Sequence, residues 1–396
     1  RTLIEARRWP NSTTDISELR LVIDYQRQNG ADRTLTLDIV DYPGEWLLDL
    51  PLLTKSYEQW SAESLALSRL EPRARLAAAW HEHLAALDPQ AREDEQATLT
   101  AAKLFTDYLR ACRDKRFAMS LLPPGRFLMP GNLAGSPALT FAPLDVPVEG
   151  PAPAGSLWAM MRRRYEAYKD VVVRPFFRDH FSRLDRQIVL VDALAAFNAG
   201  PEALHDLEAA LAGILDCFRI GRSTIFSNLF RPRIDRILFA ATKADHLHHS
   251  SHDRLEAILR RMLDPAATRA EGAGAAVDVV ALAAVRATRE AQVQRGRDKL
   301  PSILGTPVKG EVAGDETFDG ETEVATFPGD LPVNLDAFFQ GDGAFRGLTT
   351  ATAEKADFRF LRFRPPRLES DDAEGPALPH IRLDRALQFL IGDRLQ

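Results

Sequence analysis

Two apolar, β-branched runs stand near the start of the chain, ELRLVIDY (Glu18–Tyr25) and RTLTLDIVDYPG (Arg33–Gly44), on either side of the polar stretch QRQNGAD. That pattern predicts a β-hairpin. Far downstream come RQIVLVDAL (Arg186–Leu194), DRILFAATKAD (Asp235–Asp245) and VDVVALAAVRAT (Val277–Thr288), which are almost continuously apolar. Runs of this kind suit strands buried on both faces of a parallel sheet. Helical patterns separate them, PEALHDLEAALAGILDCF (Pro201–Phe218) and SHDRLEAILRRMLDP (Ser251–Pro265). Strand alternating with helix predicts a doubly wound, mostly parallel α/β domain.

The remainder does not follow that alternation. Between Gly44 and Arg186 lie amphipathic patterns such as SAESLALSRLEPRARLAAAWHEHLAAL and QATLTAAKLFTDYLRACRDK, then a Pro/Gly-rich passage from Leu121 to Gly155. This reads as a large helical insertion. From Glu290 to Gly347 the chain is acidic, Gly-rich and without periodicity, which predicts long loops with short strands. FRFLRFRPPRL then reads as an edge strand stopped by two prolines, and LPHIRLDRALQFLIGD as a closing helix. The expected division is 1–50 and 186–292 for the α/β domain, 51–185 for the insertion and 293–396 for a C-terminal extension. There are no internal repeats.

Composition narrows the class. The chain has 396 residues, 45% of them apolar and 27% charged, the balance of a globular protein. Its net charge of -6 argues against a dedicated nucleic-acid binder. Two cysteines, Cys112 and Cys217, provide neither a disulfide framework nor a thiolate set for zinc. No apolar run approaches the roughly 18 residues needed to cross a bilayer, and RTLIEARRWP has no apolar signal core. The expectation is a cytoplasmic protein. The opening Arg1, without a turn or cap around it, reads as a cut inside a domain.

The chemistry gathers at strand ends. LTLDIVDYPGE places Asp41 at the end of an apolar strand, followed by Tyr42, Pro43, Gly44 and Glu45. This is the D-x-x-G form with which GTPases hold magnesium and the γ-phosphate: the carboxylate reaches a metal-bound water, and glycine lets its N–H approach a phosphate oxygen. With glycine at about 7% of residues, the pattern arises about once by chance in such a chain, so its position carries the weight. A plain turn is the other reading. FAATKADHL ends a second buried strand in Thr242, Lys243, Ala244 and Asp245, the T-K-x-D variant of the guanine-reading N-K-x-D motif. There the aspartate accepts the guanine N1 and N2 hydrogens in a fork while the lysine stem covers the base. Adenine has no such donor pair.

Weaker signals surround these two. Within ALAAVRAT (Ala281–Thr288), Ala284, Val285 and Arg286 stand where related folds place a small-residue loop whose backbone N–H meets guanine O6. An ordinary strand end explains it equally well. Thr13 and Thr14 precede Asp41 by a length suited to a magnesium-ligating threonine, although S-T-T-D is also a routine turn. HLHHSSH (His246–His252) lacks acids at ligand spacing and reads as a solvated helix start. The arginine-rich stretch Met161–Arg186 carries Glu166, Asp170, Asp179 and Asp185 among its bases and reads as a salt-bridged helix face.

Longer segments carry a resemblance. WPNSTTDISELRL, LDIVDYPGEWLLDLPLL, PGRFLMPG with AGSPAL after it, DRQIVLVDAL, LFAATKAD and LPHIRLDRALQFLIGD are similar to the YcjX family over nearly the whole chain. The resemblance implies a Ras-like P-loop NTPase fold and a bacterial, stress-associated GTPase using GTP/GDP and Mg2+. It also implies a connection with an inner-membrane partner of the YcjF type and, with it, a peripheral position at that membrane. On that comparison Thr13, rather than Thr14, matches the family's threonine. The implied roles are Asp41 and Thr13 at magnesium, Gly44 at the γ-phosphate, Thr242, Lys243, Asp245 and Val285 around guanine, and Glu45 near the attacking water. The family's G-x-x-x-x-G-K loop, closed by Ser or Thr, occurs nowhere in this sequence. The first strand of the sheet is expected to be absent with it, leaving a gap between the DIVDYPG and IVLVDAL strands and a chain that binds nucleotide poorly. A non-catalytic scaffold and an ATPase of the same fold are the competing expectations.

Overall fold

The hairpin forms as its pattern predicts. Strands β1 (Ser17–Gln26) and β2 (Asp32–Asp41) pair antiparallel, from Ser17 opposite Asp41 to Gln26 opposite Asp32. Gly30 takes φ +82° in the turn, a conformation glycine adopts without a Cβ clash. These coordinates come from a computed structural model that describes residues 2–27, 29–217, 234–271, 275–295, 298–313, 315–332, 360–368 and 378–395.

The three apolar runs form a parallel sheet in the order β3 (Arg186–Val191), β4 (Arg236–Ala241), β5 (Ala276–Ala281). Their register is level, with Val191 beside Ala241 and Ala241 beside Ala281. Burial on both faces is met by β4 and β5, while Ile188 and Leu190 leave one face of β3 exposed. Ile237, Phe239 and Ala241 belong to the main core with the apolar stripe Leu255, Ile258, Leu259, Met262 and Leu263 of α6 (His252–Glu271). Leu238 and Ala240 alternate to the other face and pack with Ala386 of the closing helix α7 (Leu383–Ile391). Helix α4 (Ala193–Ala199) and helix α5 (Pro201–Cys217) follow β3. The structure is thus mixed α/β with a parallel sheet, as the alternation predicts. Helix α6 runs past the expected end at Pro265, whereas Phe218, the expected end of α5, lies outside the described residues.

The stretch between β2 and β3 is helical, with α1 (Tyr57–Ser68), α2 (Glu95–Arg113) and α3 (Leu157–Tyr168) as its longer elements. Each starts on a side-chain cap: Ser56 in a reciprocal box with Gln59, Asp94 on Ala97 N–H, and Ser156 on Ala159 N–H. Aromatic rings fill its interior, with Trp60 stacked on Tyr165 at 5.1 Å and edge-on to Phe105 and Phe141. Those rings belong to one continuous core with Val189, Val191 and Ile237 of the parallel sheet.

Two expectations need correction. The described residues after Glu290 hold longer strands than expected: β6 (Arg289–Arg295), β7 (Asp298–Gly305) and β8 (Val324–Thr326) form an antiparallel sheet in the order β8-β7-β6. REAQVQR has no apolar run to announce a strand, and its partner carries Pro301, so the pairing is invisible to a hydrophobic pattern. FRFLRFRPPRL is not a strand where it is described. Phe363 bridges Pro307, with Val308 N–H donating to Arg362 O at 2.8 Å and Arg364 N–H to Thr306 O at 2.8 Å, and pairing ends there, ahead of Pro365. Its first two residues lie outside the described ones.

Candidate nucleotide site

Because β3, β4 and β5 end level, their outgoing loops lie side by side at one edge of the sheet, where open α/β sheets bind ligands. The Thr242 N–H and hydroxyl both donate to Val191 O, at 2.9 and 3.2 Å. Lys243 follows in the left-handed conformation, φ 62°, which a side chain with a Cβ adopts only at a cost of about 1–2 kcal/mol. This turn lets the Lys243 ammonium pair with the Asp192 carboxylate at the end of β3. Ala244 N–H donates to Leu282 O at 3.1 Å, tying the loop to the end of β5.

Asp245 is only 3% exposed. Its Oδ2 accepts Ala287 N–H at 2.8 Å, and its carbonyl accepts the Thr288 hydroxyl. Among the described residues, Oδ1 accepts no hydrogen bond. Two buried histidines support this loop from behind. Burial pushes both imidazoles below their ordinary range; His252 Nε2–H donates to Ala244 O at 2.8 Å, and His246 sets its ring on Phe363. Val285 sits half-buried in the neighbouring loop, but the backbone of that loop reaches Asp245 through Ala287.

The hairpin contributes the other half. The Thr13 hydroxyl donates to Asp41 Oδ2 at 2.7 Å, joining two residues far apart in sequence. Gly44 opens a 3-10 helix, Gly44–Thr54, and nothing lies within 4 Å of the position a Cβ would take there. Glu45 follows, with Arg113 from α2 placing Nη2 2.5 Å from Glu45 Oε1. The 3-10 helix is anchored from below by Asp49, fully buried. Its carboxylate accepts Gly125 N–H and the Tyr168 hydroxyl, each at 2.7 Å, and burial pushes its pKa up to about 6.

Thr13, Asp41, Gly44, Glu45, Arg113 and Asp192 all line one cleft of about 1760 Å3. Motif spacing marks the hairpin residues and leaves Asp192 and Arg113 unmarked. The Asp at the end of VLVD was the available signal for the first; nothing local marked the second. The cleft separates β2 from β3, the edges of two different sheets. Ile188 and Leu190 of β3 and Leu387 of α7 remain exposed on it, Leu190 by 64%. Apolar side chains on a strand edge mark a surface prepared for covering.

A model of the YcjX-like family, DUF463, matches residues 1–395. The chain belongs to that family. It is 37% identical over 400 residues to the Ras-like GTPase YcjX of Escherichia coli strain K12, a match that covers 98% of this chain and 80% of that protein. With the Ras-like GTPase YcjX of Shewanella oneidensis strain MR-1 it shares 35% identity over 407 residues, covering 98% and 78%.

Two further features of this YcjX-like chain correct or complete the sequence reading. The HLHHSSH stretch does have an acid: Glu290 comes from the start of β6, its Oε2 2.7 Å from His249 Nδ1, and the ligand atoms of His248, His249 and Glu290 lie within 4.8 Å of one another. Most bases of Met161–Arg186 are paired, partly along the helices, as Arg174 with Asp170, and partly across elements, as Arg163 with Glu93 and Arg186 with Asp235 and Asp393. Among the described residues no helix is long and apolar enough to cross a membrane.

Proposed function

We propose that this cleft is the guanine-nucleotide site of a magnesium-dependent GTPase that acts as a switch. The observation that carries the reading is the Thr13–Asp41 pair at 2.7 Å, at the end of an apolar strand and on the same cleft as the Asp192 that holds Lys243. A hydroxyl and a carboxylate are the hard oxygen donors that suit Mg2+, which keeps several waters and shares them with phosphate. Bound there, the metal would neutralise charge on the β- and γ-phosphates. Gly44, open on its Cβ side, leaves room for a γ-phosphate oxygen beside its N–H.

On the base side, where Thr242, Lys243 and Asp245 stand next to the cleft through the Lys243–Asp192 pair rather than among its lining residues, Asp245 fixes one oxygen on Ala287 and keeps the other for the guanine N1 and N2 hydrogens. Thr242 sets the loop, and the aliphatic stem of Lys243 covers the base. Val285 belongs to the loop beneath O6. Both relatives are named Ras-like GTPases, which supports the same reading. The volume of the cleft exceeds the roughly 300–1,000 Å3 of a small-molecule pocket. Its strand edges, unpaired among the described residues, suit a further strand and a glycine-rich phosphate loop, a pattern the sequence does not carry. In this reading 1–50 and 186–292 make the nucleotide domain, 51–185 the inserted sensor and 293–396 an extension that transmits the state to a partner. A stress-associated role, with an inner-membrane partner of the YcjF type, belongs to the same proposal.

Calorimetry on the chain carrying its phosphate loop tests the base choice. Asp245→Asn should weaken GTP binding by about 1–3 kcal/mol, the scale of a charged hydrogen-bond pair. Equal affinity for GTP and ATP before and after the change would exclude the guanine assignment, and no affinity for either would leave a scaffold. Asp192→Ala should free the Lys243 ammonium and raise the GTP Kd about threefold to tenfold, as expected for one modest ionic hydrogen bond. An unchanged Kd would remove Asp192 from the site.

A further inference from the structure

Glu45 is held on two sides by the helical insertion. Its carboxylate meets Arg113, the last residue of α2, at 2.5 Å. Its main chain meets Gly125, where a Cβ would lie 1.8 Å from Glu45 O. Glycine is therefore required at 125 for the insertion to approach so closely. Gly125 is in turn fixed by its N–H on Asp49, and the Arg113 Nη1 by Met129 Sδ at 3.2 Å. Both partners of the ion pair are partly shielded, with side chains 39% and 24% exposed, and both face the cleft.

We propose that Arg113 is a positioning residue for Glu45, holding one carboxylate oxygen so that the other is presented to the attacking water. The inference rests on the GTPase reading and goes beyond it by assigning the insertion a part in the reaction. A carboxylate beside a triphosphate is repelled by the phosphate charge. A guanidinium on its far side offsets that repulsion and replaces a freely rotating side chain with a fixed one. Water attacks the γ-phosphorus, the bond to the β-γ bridging oxygen breaks, GDP leaves with that electron pair, and the water's proton passes by way of the carboxylate to the phosphate released. Arg113 takes no part in these transfers.

Single-turnover GTP hydrolysis and GTP affinity, measured on the chain with its phosphate loop, test the assignment. Arg113→Ala should slow hydrolysis about tenfold, the low end for a positioned acid-base group, while the GTP Kd stays within about twofold. Arg113→Lys should recover most of the rate. The double variant Arg113→Ala with Glu45→Ala should be no slower than Glu45→Ala alone, since residues acting through one another are non-additive. Full additivity, or an unchanged rate in Arg113→Ala beside a slow Glu45→Ala, overturns this proposal and leaves the GTPase reading intact. Absence of GTP turnover in the unsubstituted chain overturns both.

Discussion

Replacing Asp206 by alanine is expected to cost about 3–5 kcal/mol of stability, the range for stranding one member of a buried ion pair. Asp206 lies on α5, and Arg73 comes from the helical insertion; their side chains are 5% and 3% exposed, and Arg73 Nη2 stands 2.5 Å from Asp206 Oδ1. The other oxygen accepts two backbone N–H groups, Ser120 at 2.6 Å and Leu121 at 2.7 Å. Arg73 also donates to Leu121 O at 3.0 Å and to the Tyr108 hydroxyl at 3.1 Å. Removing the carboxylate therefore leaves a guanidinium and two amides without their acceptor in the interior. An unpaired buried charge costs more than the pair itself contributes. Urea unfolding of Asp206→Ala against the unsubstituted chain measures the difference. A change below about 1 kcal/mol, the scale of an exposed ion pair, would show that solvent reaches the site and that the insertion is not anchored there.

What was legible in the sequence was what repeats locally. Strands β4 and β5 announce themselves because both their faces are covered by apolar side chains of other elements, whereas the β1/β2 hairpin, largely exposed, is legible from its β-branched composition and the polar turn between its strands. Asp41, Lys243 and Asp245 were legible for a related reason: each follows an apolar run, so a charged side chain there must stand at a strand end. Most pairings across distance were not legible. Asp192 with Lys243 and Arg113 with Glu45 are each set by the register or crossing of separate elements, and no spacing rule contains them, whereas Thr13 with Asp41 is the long-range pair that spacing and the family resemblance anticipate. The same limit explains Glu290, which lies too far along the chain to be counted with His248 and His249. Strand β6 was hidden for the opposite reason: it is polar and mostly exposed, so burial imposes no period on it, and β7 was masked by Pro301 although its end from Ser302 is buried.

The segment after Thr13 and the segment that opens at Gly44 meet the insertion at one loop. Gly131, at φ +53°, would place a Cβ 2.6 Å from Asp15 and 2.9 Å from the Thr14 carbonyl, just as Gly125 would clash with Glu45. Residues 124–131 thus touch Thr14 and Asp15, which follow the threonine that meets Asp41, and Glu45 in the segment after Asp41. Arg126 adds a guanidinium 3.1 Å over the Trp46 ring. A change of nucleotide that moved either segment would press on this loop, and through Asp49 and Tyr168 on the aromatic core of the insertion. This contiguity is the physical basis for placing Glu45, rather than a residue of the parallel sheet, where hydrolysis and the insertion are coupled.

Glu45→Ala, in the chain carrying its phosphate loop, is expected to slow the chemical step of GTP hydrolysis by about tenfold to a thousandfold, around the range of positioned acid-base groups. Ras-like GTPases place a glutamine at the corresponding point to orient the attacking water. A glutamate can do the same by accepting the water's hydrogen, and unlike an amide it can also take the proton. The competing role is local: a glutamate in the first turn of a helix is favoured by the helix dipole, and Glu45 does lie in the first turn of Gly44–Thr54. The two roles separate in the measurement. Loss of a first-turn glutamate should lower stability by about 0.3–1 kcal/mol and leave single-turnover hydrolysis as it was. Loss of a water-orienting carboxylate should slow hydrolysis while the GTP dissociation constant moves by less than about twofold, since an interaction made only in the transition state adds nothing to ground-state binding. Glu45→Gln divides orientation from proton transfer, because the amide keeps the acceptor and loses the base. If Glu45→Ala hydrolyses bound GTP at the unsubstituted rate, Glu45 is a helix-start residue and the attacking water is held by another group.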